Sequence, residues 1–182
     1  MHKEQKTLTF DEFADGLLRE RQPRALVILA SAQIDTQLRC LCEAFLFKKS
    51  AKIQDDDELL DGDNPLSTFS SRIKICSRLG LLDKALFDAL NTLRNIRNQA
   101  AHWILFGPGD APLRDQIRHL TSLIINRRSY RLTVSKFFHN GKLSELESLQ
   151  AVLLTLCVLL ESTRMIIPKI SLAKVQKPLK LN

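Results

Sequence analysis

Residues 143–167 carry apolar side chains almost all the way round a helical wheel. Leu149, Val152, Leu153, Leu156, Leu159, Leu160 and Ile166 leave little of the circumference polar. A surface helix keeps a polar face, so a helix of this kind is either a central core helix or a subunit interface. Its longest apolar run, 151–160, is interrupted only by Thr155 and is too short to cross a bilayer. Asn140-Gly141 reads as a turn before it, and Pro168 is expected to kink or end it. The fold must be built around this segment.

The rest of the chain supplies amphipathic helices to pack against it. A short helix is expected over 10–19. A long one is expected over 24–48, with Pro23 at its first position, where the missing N–H is tolerated. Its apolar stripe is Val27, Ala30, Ile34, Leu38, Leu41 and Phe45. Residues 49–65 read as a loop. Ser67 can cap a helix running to Leu79, Gly80 can end it, and Asp83 can cap the next. Gly107-Pro108-Gly109 breaks the chain before an amphipathic helix over 113–125. In 127–138, Tyr130, Leu132 and Val134 alternate as in a strand, but no second strand is evident, so a short helix or an extended arm is expected. The predicted class is all-α: a bundle of five to seven helices with a long C-terminal helix. The expected organisation is a short helix and linker over 1–22, one helical domain over 23–175 and a basic tail over 176–182.

A chain of 182 residues can bury a core without disulfides or metal. Its four cysteines, Cys40, Cys42, Cys76 and Cys157, form no CxxC pair, so buried thiols in a reducing compartment are expected rather than a metal site. The charged N-terminus lacks an apolar export segment, which points to the cytoplasm. The net charge of +7 is unevenly placed. Arg114, Arg118, Arg127, Arg128, Arg131, Lys136 and Lys142 face only Asp115 in that region, whereas Asp55-Asp56-Asp57-Glu58, Asp61 and Asp63 form an acidic patch. The basic bias suits either polyanion contact or an ordinary solvated face. The acidic run lacks calcium-loop spacing and reads as a solvated loop.

One constellation stands apart. On the helix after Asp83, Leu86, Leu90, Leu93, Ala100, Ala101 and Ile104 cluster on one side, and Arg97 falls among them. Asn91, Asn95, Asn98 and His102 fall on the other. A guanidinium on a core face needs a carboxylate, a phosphate or an interface. Two readings stand: a buried Arg–carboxylate pair beside a surface His, or a polar site that handles a phosphodiester. Asp35 is the first candidate partner for Arg97 and Glu43 the second. Arg97 and His102 point about 140° apart on an ideal helix. A catalytic reading therefore predicts a distorted helix end or a site shared by two copies.

No phosphate-binding loop, dinucleotide fingerprint, HExxH or GxSxG occurs. The pair of helices flanking Gly80 is a poor helix-turn-helix, because its second helix is too apolar. The string LLDGDNPL (59–66), then FSSRIKI (69–75), LGLL (79–82) and LRNIRN (93–98), resembles the mannitol operon repressor (MltR) family. That resemblance covers about residues 26–102. It implies an all-helical regulator without a standard DNA-binding motif. The Arg97-Asn98…His102 piece also resembles the R-x4-H motif of HEPN domains, helical dimers of which many are metal-independent ribonucleases. By that resemblance, Arg97 and Asn98 would bind the scissile phosphate and His102 would move protons.

The leading expectation is an MltR-like cytoplasmic regulator acting as a homodimer through protein or nucleic-acid contacts, with no cofactor. The alternative is an endoribonuclease using Arg97, Asn98 and His102, and a weaker one is a nucleotide-binding module. Arg114, Arg118, Arg127, Arg128 and Arg131 are the expected nucleic-acid contacts, with RNA favoured over sequence-specific DNA.

Overall fold

The computed structural model describes residues 9–46, 59–102, 106, 111–138 and 142–173, with side chains described as far as residue 167. The described residues contain seven helices and no strand. They are α1 (Phe10–Arg19), α2 (Pro23–Phe45), α3 (Phe69–Arg78), α4 (Lys84–His102), α5 (Ala111–Ile124), α6 (Arg128–Phe137) and α7 (Glu145–Ala173). The expected Gly107-Pro108-Gly109 and Asn140-Gly141 breaks, the 55–58 acidic run and Ile104 lie outside the described residues.

Local chemistry sets the helix ends. Thr9 and Glu12 form a capping box at α1: the Thr9 hydroxyl accepts from the Glu12 N–H at 3.2 Å, and the Glu12 carboxylate accepts from the Thr9 N–H at 2.8 Å. Pro23 does open α2. The cap of α3 is Thr68 rather than Ser67, because Thr68 and Ser71 exchange side-chain and backbone hydrogen bonds at 3.1 and 3.2 Å. After α3, Gly80 takes φ +73°. Its N–H donates to Ser77 O at 3.0 Å and that of Leu81 to Cys76 O at 2.9 Å, which satisfies two terminal carbonyls. Asp83 caps α4, its carboxylate accepting from the Leu86 N–H at 2.9 Å.

The core is organised by α2 and α7. These two helices run in the same direction: Pro23 meets Leu146 and Leu149, and the Gln37 side chain donates to Cys157 O at 3.1 Å. On α7, Leu149, Val152, Leu153, Leu156 and Leu160 are buried, so the all-round apolar helix is a core helix. Both α2 and residues Glu145–Ile167 are long and apolar enough to span a bilayer, but half or more of each is buried inside the bundle. Helix α1 closes one end through Ala14 and Leu17, and Gln150 of α7 donates to the carbonyls of Leu17, Leu18 and Glu20 at 3.0–3.2 Å.

The structure narrows two alternatives. Pro168 does not end α7, which continues to Ala173. One missing N–H removes one rung of a 29-residue helix whose packing is anchored at the buried Ile167. Residues 128–137 resolve as a helix rather than an arm: Tyr130 and Thr133 are buried with helical spacing, and Leu132, which suggested alternation, is 58% exposed.

Candidate functional site

Helix α4 remains regular through His102. Its buried face is Leu86, Ala89, Leu90, Leu93, Ile96 and Ala100, whereas Arg97, Asn98, Ala101 and His102 are exposed. Arg97 therefore is not the buried arginine that the wheel suggested. Between α2, the start of α3 and Arg97 of α4 lies a cleft of about 180 Å³, lined by Ile28, Ser31, Ala32, Asp35, Phe69 and Arg97.

Asp35 does reach this cleft, but its ion-pair partner is Arg72. The Arg72 Nη1 donates to Asp35 Oδ1 at 2.9 Å. Arg72 is the buried arginine of this fold, 7% exposed. Its other donors go to Leu66 O and Leu60 O, each at 2.9 Å. Glu43 faces away on the exposed side of α2 and pairs with Arg39 at 2.8 Å. Arg39 also grips Asp61, one of the acidic residues expected to be merely solvated.

The same wheel argument applied to α3 would have found Arg72. Phe69, Arg72, Ile73 and Cys76 recur at helical spacing, which places Arg72 on the buried side.

Arg97 is left with a single 3.4 Å contact to Asn98 and no carboxylate among the described residues. Nearby, Ser31 is 4% exposed and its hydroxyl has no hydrogen-bond partner. The cleft thus combines a free guanidinium, an unsatisfied hydroxyl, one edge of a carboxylate and apolar walls. That is the composition of a small polar binding site. His102 does not line it. Because α4 is undistorted, Arg97 and His102 of one chain do not converge.

The expected nucleic-acid residues divide. Arg127 is committed to Asp83 at 2.5 Å, linking the start of α6 to the cap of α4. That contact, with the backbone N–H groups of the cap, holds the Asp83 carboxyl below its ordinary range. Arg128 and Arg131 are exposed on α6. Arg114 and Arg118 line a second, larger groove of about 530 Å³ between α5 and the start of α7.

No protein-family model matches this chain, and no curated protein matches it in sequence. Solved structures do match in fold. YggD from Shigella flexneri, described as a possible transcriptional regulator, aligns over 86% of this chain and 99% of its own, with a TM-score of 0.62 and 18% identity. The MtlR–HPr complex from Escherichia coli aligns over 84% of this chain and 98% of its own chain, with a TM-score of 0.56 and 16% identity. The chain has an MtlR-like helical fold. These likenesses do not bear on the R-x4-H motif.

Proposed function

We propose that this chain is an MtlR-like regulatory protein that works by docking a macromolecular partner, a protein in the first instance, rather than by catalysis. The observation that carries the reading is the fold it shares, over 84–86% of its length, with YggD and with MtlR, the latter held in its structure with HPr. The separation of Arg97 and His102 on an unbroken α4 supports it. A cytoplasmic homodimer is part of this proposal: Met165 and Ile166 on α7 are 67% and 51% exposed, apolar surface that a second copy would cover.

The deciding experiment incubates several RNAs with the purified protein in EDTA, alongside His102→Ala, with a thermal melt of each. The regulatory reading expects no cutting by folded wild type. Cutting that disappears in a folded His102→Ala protein overturns it. HPr is the first protein to titrate by calorimetry, and sedimentation equilibrium reads the dimer.

The endoribonuclease reading keeps one supporting observation. Arg97, Asn98 and His102 are all exposed along the last turns of α4, and Arg97 carries no carboxylate. Two copies meeting there could join what one helix holds apart.

A further inference from the structure

We infer that the groove between α5 and the start of α7 receives an acidic amphipathic helix of a partner protein. This rests on the docking reading above and names the surface and the chemistry of its occupant.

The groove follows one helix. Its α5 wall is made by residues 114, 117, 118, 121, 122 and 125, which recur every three or four positions. That spacing is one face of a helix about three turns long, roughly 16 Å. A second helix laid along such a stripe contacts it with residues at i, i+3, i+4 and i+7.

The floor is aliphatic. Ile117 and Leu143 lie within it, and Ile125 at one end is 46% exposed, a large apolar side chain without cover. The rim is cationic: Arg114, Arg118 and Lys142 stand against the single carboxylate of Glu145. Arg114 and Lys142 have no carboxylate partner among the described residues, and Arg118 has only an exposed 3.3 Å contact with Asp115. The Thr121 hydroxyl donates to Ile117 O at 2.8 Å and that of Ser122 to His119 O at 2.7 Å. With those two hydroxyls satisfied internally and Ser148 the one other hydroxyl of the lining, recognition rests mainly on apolar burial and on charge.

Both point to the same occupant. An aliphatic floor buries leucine-type anchors, and a positive rim meets carboxylates on their flanks and steers their approach. Single-stranded nucleic acid would find the charge but no stacking platform, since no aromatic side chain lines the groove.

The test titrates the full chain with a fluorescent synthetic helix of about five turns. The helix has leucines on one face and glutamates on the other, and it is read by anisotropy and by ¹⁵N chemical shifts. Saturable binding is expected, with shifts gathered on 114–125 and 142–148. Arg114→Glu/Arg118→Glu should weaken it at least about tenfold, and the charge-matched Arg128→Glu/Arg131→Glu outside the groove by less than about twofold. If the first pair fails to fold, Arg118→Glu/Lys142→Glu serves in its place. The proposal is overturned by equal losses in both pairs. It is also overturned by equal binding of a glutamate helix lacking leucines, by displacement of the peptide by an RNA oligomer at lower concentration, or by no saturation up to about 1 mM. RNA cutting in EDTA would overturn the regulatory reading separately, with the groove assay unaffected.

Discussion

The guanidinium of Arg72 on α3 meets the carboxylate of Asp35 on α2 at 2.9 Å, and the same side chain ties down the carbonyls of Leu60 and Leu66. One buried cation thus joins two helices and the turn before α3. The pair sits beside the Arg97 cleft, because Asp35 serves both: one oxygen neutralises Arg72 while the residue lines the opening.

Arg72→Ala should be among the most damaging substitutions in the chain. It strands the Asp35 carboxylate and removes the donors that Arg72 gives to the Leu60 and Leu66 carbonyls, an expected loss of about 3–5 kcal/mol. Arg72→Lys should recover little, since an ammonium cannot reproduce the three directed donors. Urea unfolding followed by circular dichroism reads both.

Arg97→Ala should behave in the opposite way. Its side chain is exposed and holds only a long contact to Asn98, so stability should change by less than about 0.5 kcal/mol. A loss of several kcal/mol in the same urea series would mean that Arg97 is buried in solution after all.

Asp83 joins two roles that substitution can separate. Asp83→Asn keeps an oxygen for the α4 cap but loses the charge facing Arg127, and should cost less than about 1 kcal/mol, because the carboxylate is 57% exposed. Asp83→Ala loses the cap as well and should cost about 1–2 kcal/mol. The Asp83 carboxyl is held below its unfolded value of about 3.9, so its ionic contribution is complete above that value and fades as pH falls through the lower folded one. Melting curves of wild type and Asp83→Asn should therefore converge in acid and separate near neutrality.

The thiols should rank by cover. Cys42, Cys76 and Cys157 are buried, and Cys42 and Cys76 touch at 3.6 Å between sulfurs. Burial pushes the Cys157 thiol up, and the contact with Cys42 together with burial does the same for Cys76. Cys40 is only partly covered, though its thiol too is raised, first by burial and then by the nearby Glu43. Native alkylation with iodoacetamide should label Cys40 slowly and the other three only after unfolding. Mass spectrometry would contradict this if Cys157 were modified in the folded protein.

Much of the fold was legible in the chain. The 3.6-residue period marked the helices, the all-round apolar segment marked the core helix, and Pro23, Gly80 and Asp83 marked ends, because these depend on neighbours within a turn or two. The limits of that reasoning appear where distance along the chain no longer matters. Residues 128–137 alternate like a strand without a partner strand, which left a short helix or an extended arm open, and the structure holds the helix, with Tyr130 and Thr133 buried. Pro168 read as a kink or a stop, and the helix runs through it to Ala173.

The sequence by itself determined that this protein is helical, that it is built on residues 143–167, and that one helix ends in Arg97-Asn98…His102. Only the tertiary structure decided which arginine is buried. A helical wheel reports the direction of a side chain but not whether another element covers that direction. Arg97 was left exposed and Arg72 was covered, so Asp35 went to the arginine that had lost its water.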